Sequence, residues 1–177
     1  MHIIISILLL LAGLISLMLI IALIMKKDLY VKCDIIINTN SKKAYDFLKL
    51  LNNQDKFNKW AKADANREWT HKGTDGTVGY VISWKGNKDA GEGEKEIINL
   101  VEGKRIVTEI RFVKPMKITS TIIMETEAIS ANSTKVTLIN SGKMNYPMNL
   151  FIPIAENKFP KDMNESLESL TKILENE

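Results

Sequence analysis

Residues Val78–Lys114 read VGYVISWKGNKDAGEGEKEIINLVEGKRIVTEIRFVK, and this stretch decides the fold class. Val78, Tyr80, Ile82 and Trp84 alternate with small or polar neighbours, which predicts a half-buried strand. Gly86–Gly91 (GNKDAG) is turn chemistry, and Glu92 to Val101 predicts the returning strand. Glu102-Gly103 turns the chain again into Lys104–Lys114, where Ile106, Thr108, Ile110 and Phe112 share a face. Turns this short join antiparallel neighbours, so the stretch is a meander and not a series of βαβ units.

Working outward, Ile118–Ile129 predicts the longest strand and Asn132-Ser133 turns it into Lys135–Lys143. Trp69 begins a weaker strand that ends at Gly73–Gly76. Upstream, Val31–Asn38 (VKCDIIIN) predicts a strand, and Asn40 or Ser41 caps a helix over Lys42–Leu51. A short helical segment is expected over Asn53–Trp60. Downstream, Met144–Phe159 reads as a loop with a short helical piece. Pro160–Glu177 predicts an amphipathic helix, with Met163, Leu167, Leu170 and Leu174 forming one stripe and Pro160 at its start. The expectation is α+β: a strand, one or two helices, about six mostly antiparallel strands, and the C-terminal helix as the only long element able to cover the sheet.

The N-terminus is of another kind. Ile3–Met25 holds 23 residues without a charge, about 34 Å as a helix, enough to cross a ~30 Å hydrocarbon core. No Lys or Arg precedes it and no small-residue cleavage site follows, so a retained transmembrane anchor is expected over a cleaved signal. Lys26 and Lys27 flank its C-terminal side and put the following domain in the cytoplasm by the positive-inside rule. The expected organisation is a transmembrane anchor over 1–27 and one domain over 28–177. Cys33 is the sole cysteine, so no intrachain disulfide forms. Beyond Lys27 the net charge is near +1, which leaves no broad footprint for nucleic acid.

The segments VKCDIIINTNSKKAYDFL, FNKWAKADAN, GTVGYVISWKGNKDAGEGEKEI, EGKRIVTEIRFVKPMK and ESLESLTKILE, in that order, resemble the START-like superfamily. Within it they resemble the polyketide cyclase/dehydrase-type (SRPBCC) proteins, over residues 30 to 177. The resemblance implies a helix-grip fold: a curved antiparallel sheet wrapped around a long C-terminal helix and enclosing an elongated apolar cavity. It further implies binding of lipids, hormones or polyketides, cyclase or hydrolase activity, or a co-chaperone-like role.

Catalytic chemistry is sparse. His2 and His71 are the only histidines, and no His/Cys spacing fits a zinc site, so no catalytic residue, metal or cofactor is expected. Cys33 on a β-branched strand reads as a core residue. Gly86, Gly91 and Gly93 match neither phosphate-loop pattern. Glu92, Glu94 and Glu96 at period two read as a solvated face opposite Lys104, Arg105, Glu109 and Arg111. Trp84, Phe112, Met116, Met124, Met144 and Met148 would either line a ligand cavity or fill a solid core. Ser120 and Asn140 are polar on inward-facing strand sides, where a cavity's orienting groups would stand. The ligand-contact set expected is Trp84, Phe112, Met124, Leu138, Ser120, Asn140, Met163 and Leu167. The leading expectation is a membrane-tethered module for a small hydrophobic ligand or lipid. An enzyme using the same cavity, and an interaction module with a filled core, are the alternatives; the sequence names no protein partner.

Overall fold

The structure, a computed structural model, describes residues 2–64 and 66–176; Met1 of the expected anchor and the expected helix end at Glu177 lie outside them. Helix α1 (His2–Ile24) precedes β1 (Asp28–Ile37), α2 (Ser41–Leu48) and α3 (Leu51–Phe57). Then come β2 (Glu68–Lys72), β3 (Val81–Lys85), β4 (Glu92–Val101), β5 (Arg105–Lys114), β6 (Ile118–Ser130) and β7 (Ser133–Lys143), and finally α4 (Ile152–Asn176). The strands form one antiparallel sheet in the order β1-β7-β6-β5-β4-β3-β2. The meander is therefore as expected, and β1 closes its far side by pairing with β7. Register shifts at Glu92/Gly93, Ile97/Asn99 and Ala128/Ser130 help bend the sheet toward α4.

The main core lies between α4 and the β1-β7-β6 side of the sheet. Leu29, Val31, Cys33, Val136, Leu138 and Met124 on the strands meet Met163, Leu167, Leu170 and Leu174 of α4. Tyr45 and Leu48 of α2 and Phe57 of α3 close its edge. Cys33 is buried there, where desolvation, with some help from Asp34, raises its thiol above the ordinary range. It is an inert core residue, as read.

Several boundaries differ from expectation, each for a physical reason. Helix α4 starts at Ile152, eight residues before Pro160, which lies in the helix interior. Ile152, Ala155 and Phe159 extend the Met163–Leu174 stripe backward at helical spacing, and their contact with the sheet outweighs the local cost of the proline. Only Met148–Phe151, a 3₁₀ turn, matches the short helical piece. The helix expected over Lys42–Leu51 breaks at Leu50, whose backbone is extended. Asp75, distant in sequence, then starts α3 by accepting hydrogen bonds from the Leu51 and Asn52 amides at 2.8 and 3.2 Å. Val78 falls outside β3 because a turn from Thr74 to Thr77 and the positive φ of Gly79 intervene.

Helix α1 is long and apolar enough to cross a membrane. Among its described residues only Ala22 is buried, so it is not a core helix. Its C-terminal end is held by the fully buried Asn149, whose Nδ2 donates to the Ala22 and Met25 carbonyls at 2.6 and 3.2 Å. Lys26 pairs with Glu156 at 2.6 Å, and the Met144 amide donates to the Lys27 carbonyl.

Candidate functional site

Directly opposed residues of antiparallel strands share a face, so the register lays out the concave wall row by row. One row runs Trp69, Trp84, Gly93, Phe112, Ile118 across β2 to β6. The next runs Ile82, Lys95, Ile110, Ser120, Gly142, Leu29 across β3 to β1. A third places Ile122 beside Asn140, and a fourth Met124 beside Leu138. Toward the β2–β5 side α4 no longer fills the space under these rows. A cavity of about 270 Å³ remains, partly open to solvent, just below the ~300–1,000 Å³ usual for ligand pockets.

Glycine shapes this wall. A Cβ on Gly93 would stand 2.7 Å from the Arg111 carbonyl and 2.9 Å from the Trp84 ring, so the indole lies over the bare backbone. It reaches Phe112 in an edge-to-face contact at 5.5 Å, and its Nε1 donates to the Ala90 carbonyl at 3.1 Å. Across the opening, Trp60 stands edge-on to Phe159 of α4 at 5.8 Å. Lys59 clips this side to α4 through Asp162 at 3.0 Å and Glu165, and its amide donates to Ser166 Oγ. Trp60 and Trp69, 39% and 36% exposed, form part of the cavity's rim.

Of the eight residues expected to touch a ligand, Trp84, Phe112, Ser120, Met124, Leu138, Asn140 and Met163 line the cavity. Leu167 does not: it packs one turn further along α4 in the close-packed core. Met144 is on the wall, whereas Met116 and Met148 stand off it. Asn140 is buried, and its Oδ1 has no hydrogen-bond partner among the described residues. On the opposite face, Arg111 gathers Glu94, Glu96 and Glu109, and Lys114 takes Glu92. Its hydrogen bonds to the Glu96, Glu109 and Glu94 carboxylates hold the guanidinium above its ordinary pKa. That face is a structural ion-pair network, as its period-two pattern indicates. His71 bonds the Tyr80 hydroxyl at 2.9 Å, and no group of three or more His, Cys, Asp or Glu among the described residues could hold a metal.

The residues that sequence reasoning missed are polar. Lys95 is 8% exposed and reaches the cavity from the middle of β4. Its Nζ donates to Gln54 Oε1, and Gln54 Nε2 donates in turn to the Leu48 carbonyl at 2.7 Å, which fixes the amide with its oxygen toward the lysine. Desolvation lowers the Lys95 ammonium to about 8, against the attraction of Asp55 and Asp75. Asp55, also on the wall, is raised, mainly by desolvation and against the pull of Lys95 and Arg67. Arg67 lies 3.9 Å from Asp55 and stacks on Trp69. The signal for Lys95 was present as its register: Glu94 and Glu96 point outward, so the residue between them points in.

The chain aligns with norcoclaurine synthase from Thalictrum flavum, solved in complex with dopamine and hydroxybenzaldehyde. The two are 6% identical with a TM-score of 0.63, over 82% of this chain and 86% of that one. The fold is a helix grip. A structural-genomics protein from Chromobacterium violaceum gives 14% identity and a TM-score of 0.58, over 82% of this chain and 96% of that one. DynU16, from the dynemicin biosynthetic locus, gives 10% and 0.56, over 82% of this chain and 47% of that one. These neighbours are SRPBCC-like, and at such identities the helix-grip likeness concerns the fold alone. No family profile matches the chain, and no curated protein matches it in sequence.

Proposed function

We propose that the chain is a membrane-tethered helix-grip protein that holds a small apolar ligand, a lipid or lipid-like molecule, in the cavity between β2–β6 and α4. Residues 1–27 serve as the anchor and 28–177 as the ligand-binding domain, on the cytoplasmic side of Lys26 and Lys27. Trp84, Phe112, Ser120, Met124, Leu138, Asn140 and Met163 are its contact wall.

The observation that carries the reading is the unfilled cavity of about 270 Å³ between a mostly apolar sheet face and α4. A polar atom buried without a partner costs ~1–3 kcal/mol, and a ligand donor meeting Asn140 Oδ1 would relieve that cost. The tether adds local concentration, since apolar ligands gather in the bilayer. Leu29, Lys143 and Met144 on the cavity wall lie close in the fold to Lys27, where α1 leaves the membrane. Tyr146, Phe151 and Ile154, all exposed, flank the Asn149 clasp on α1 and would sit at the lipid interface.

The test uses the full chain in lipid nanodiscs with a long-chain alcohol carrying an alkyl diazirine. After photolysis, cross-links on Ile110, Ile122 or Met124 are expected, and Met124→Trp removes them. Cross-links confined to α1 would refute ligand entry.

A further inference from the structure

We propose that Lys95 is a reactive amine that captures an apolar aldehyde or ketone from the cavity as an imine. The inference rests on the ligand-binding reading above and names the chemical class of the ligand. Its basis is geometric. Lys95 is buried, and it stands on the cavity wall between Ile82 and Ile110. A lysine serving only to balance charge would be met by a carboxylate at hydrogen-bond distance. Here the hydrogen-bond partner is the neutral Gln54 Oε1, held in place by the Leu48 carbonyl. Asp55 and Asp75 act on the ammonium by charge, and Arg67 already sits against Asp55. An anionic ligand head would therefore meet two carboxylates as well as the lysine, whereas a neutral carbonyl meets no such opposition.

The physical chemistry of the site favours the neutral amine. With the ammonium lowered to about 8, roughly a tenth is unprotonated at pH 7, against less than a thousandth for an ordinary lysine. The nitrogen lone pair forms the N–C bond as the carbonyl π pair moves to oxygen. That oxygen takes a proton and the nitrogen releases one, giving the carbinolamine. Its hydroxyl takes a second proton and leaves as water as the C=N bond forms, and the nitrogen then releases its second proton. Amine and carbonyl go to imine and water, with no oxidant or reductant. Asp55, whose carboxyl is held above its usual range by burial, faces the same cavity and can relay these protons.

The experiment incubates the full chain in nanodiscs at pH 7 with dodecanal and cyanoborohydride, then locates secondary-amine adducts by peptide mass mapping. Lys95 is expected to be trapped at least tenfold faster than Lys26 and Lys27, which lie beside the bilayer that concentrates the aldehyde. Asp55→Asn is expected to slow trapping at Lys95. Lys95→Met is expected to abolish the fast adduct. Entry of the alcohol with Lys95 trapped no faster than Lys26 would overturn this proposal and leave the binding reading standing. Failure of the alcohol to enter would overturn both.

Discussion

The two sides of the sheet bury their inner faces differently. On the β1-β7-β6 side, α4 presses Leu167, Leu170 and Leu174 into Val31, Cys33 and Val136, and the packed cluster there is mostly aliphatic. On the β2–β5 side the apolar cluster shrinks to Leu51, Tyr80, Ile82 and Ile97, and Lys95 and Gln54 are buried beside it. The first side has the composition of a core that only has to hold. The second gives up packing density and buries a lysine whose hydrogen-bond partner is a neutral amide, both of which cost stability.

The largest effect that tests this contrast is a pair of truncations, measured by denaturant unfolding of residues 28–177, which the proposed anchor–domain division expects to fold alone. Leu170→Ala in the close-packed side is expected to cost ~2–5 kcal/mol. Phe112→Ala on the cavity wall is expected to cost clearly less, because its ring already faces open space on one side. Equal losses would break the comparison.

The next effect isolates Lys95. Below pH 8 both the folded and unfolded chains carry a protonated Lys95, and the folded state bears the full desolvation cost. From about 8 to 10.5 the unfolded chain binds the extra proton, so this residue makes stability rise with pH. The gain is up to about 3 kcal/mol for the full shift. The wild-type minus Lys95→Met difference in unfolding free energy, followed between pH 7.5 and 10.5, should show that rise. A flat difference would mean that Lys95 is solvated.

The smallest effect concerns the junction between α1 and the sheet. Asn149→Leu removes two hydrogen bonds to the carbonyls of Ala22 and Met25, a loss of about 1 kcal/mol. In the full chain in nanodiscs, amide exchange at Lys26–Asp28 should quicken several-fold while β6 and β7 remain protected. Unchanged exchange at Lys26–Asp28 would show that the clasp does not fix the anchor.

The strands were legible because alternation, short turns and glycines act locally. The wall residues Trp84, Phe112, Ser120, Met124, Leu138 and Asn140 follow from that same alternation. What escaped depended on distant groups. The break at Leu50 needs the Asp75 cap, a residue from the next connection. At Pro160 a local start signal was read over a stripe that already ran back through Phe159, Ala155 and Ile152. Leu167 carries the same stripe as Met163, and one turn along α4 separates cavity wall from core; helical periodicity cannot see where a curved sheet stops touching its helix. Lys95 was hidden by its charge, since a lysine between two glutamates reads as surface until its register is counted.

Ile110→Trp tests directly whether the space beneath β5 and β6 is free to take a guest. Ile110 stands at the centre of the wall, between Lys95 and Ser120. If the cavity is real, the indole fills it: unfolding free energy should stay within about 1 kcal/mol of wild type while cross-linking by the diazirine alcohol on β5 and β6 disappears. A close-packed interior would respond to the same change with an overpacking loss of ~1–3 kcal/mol or more. That loss, together with no wild-type cross-linking on β5 or β6, would contradict the ligand-binding account.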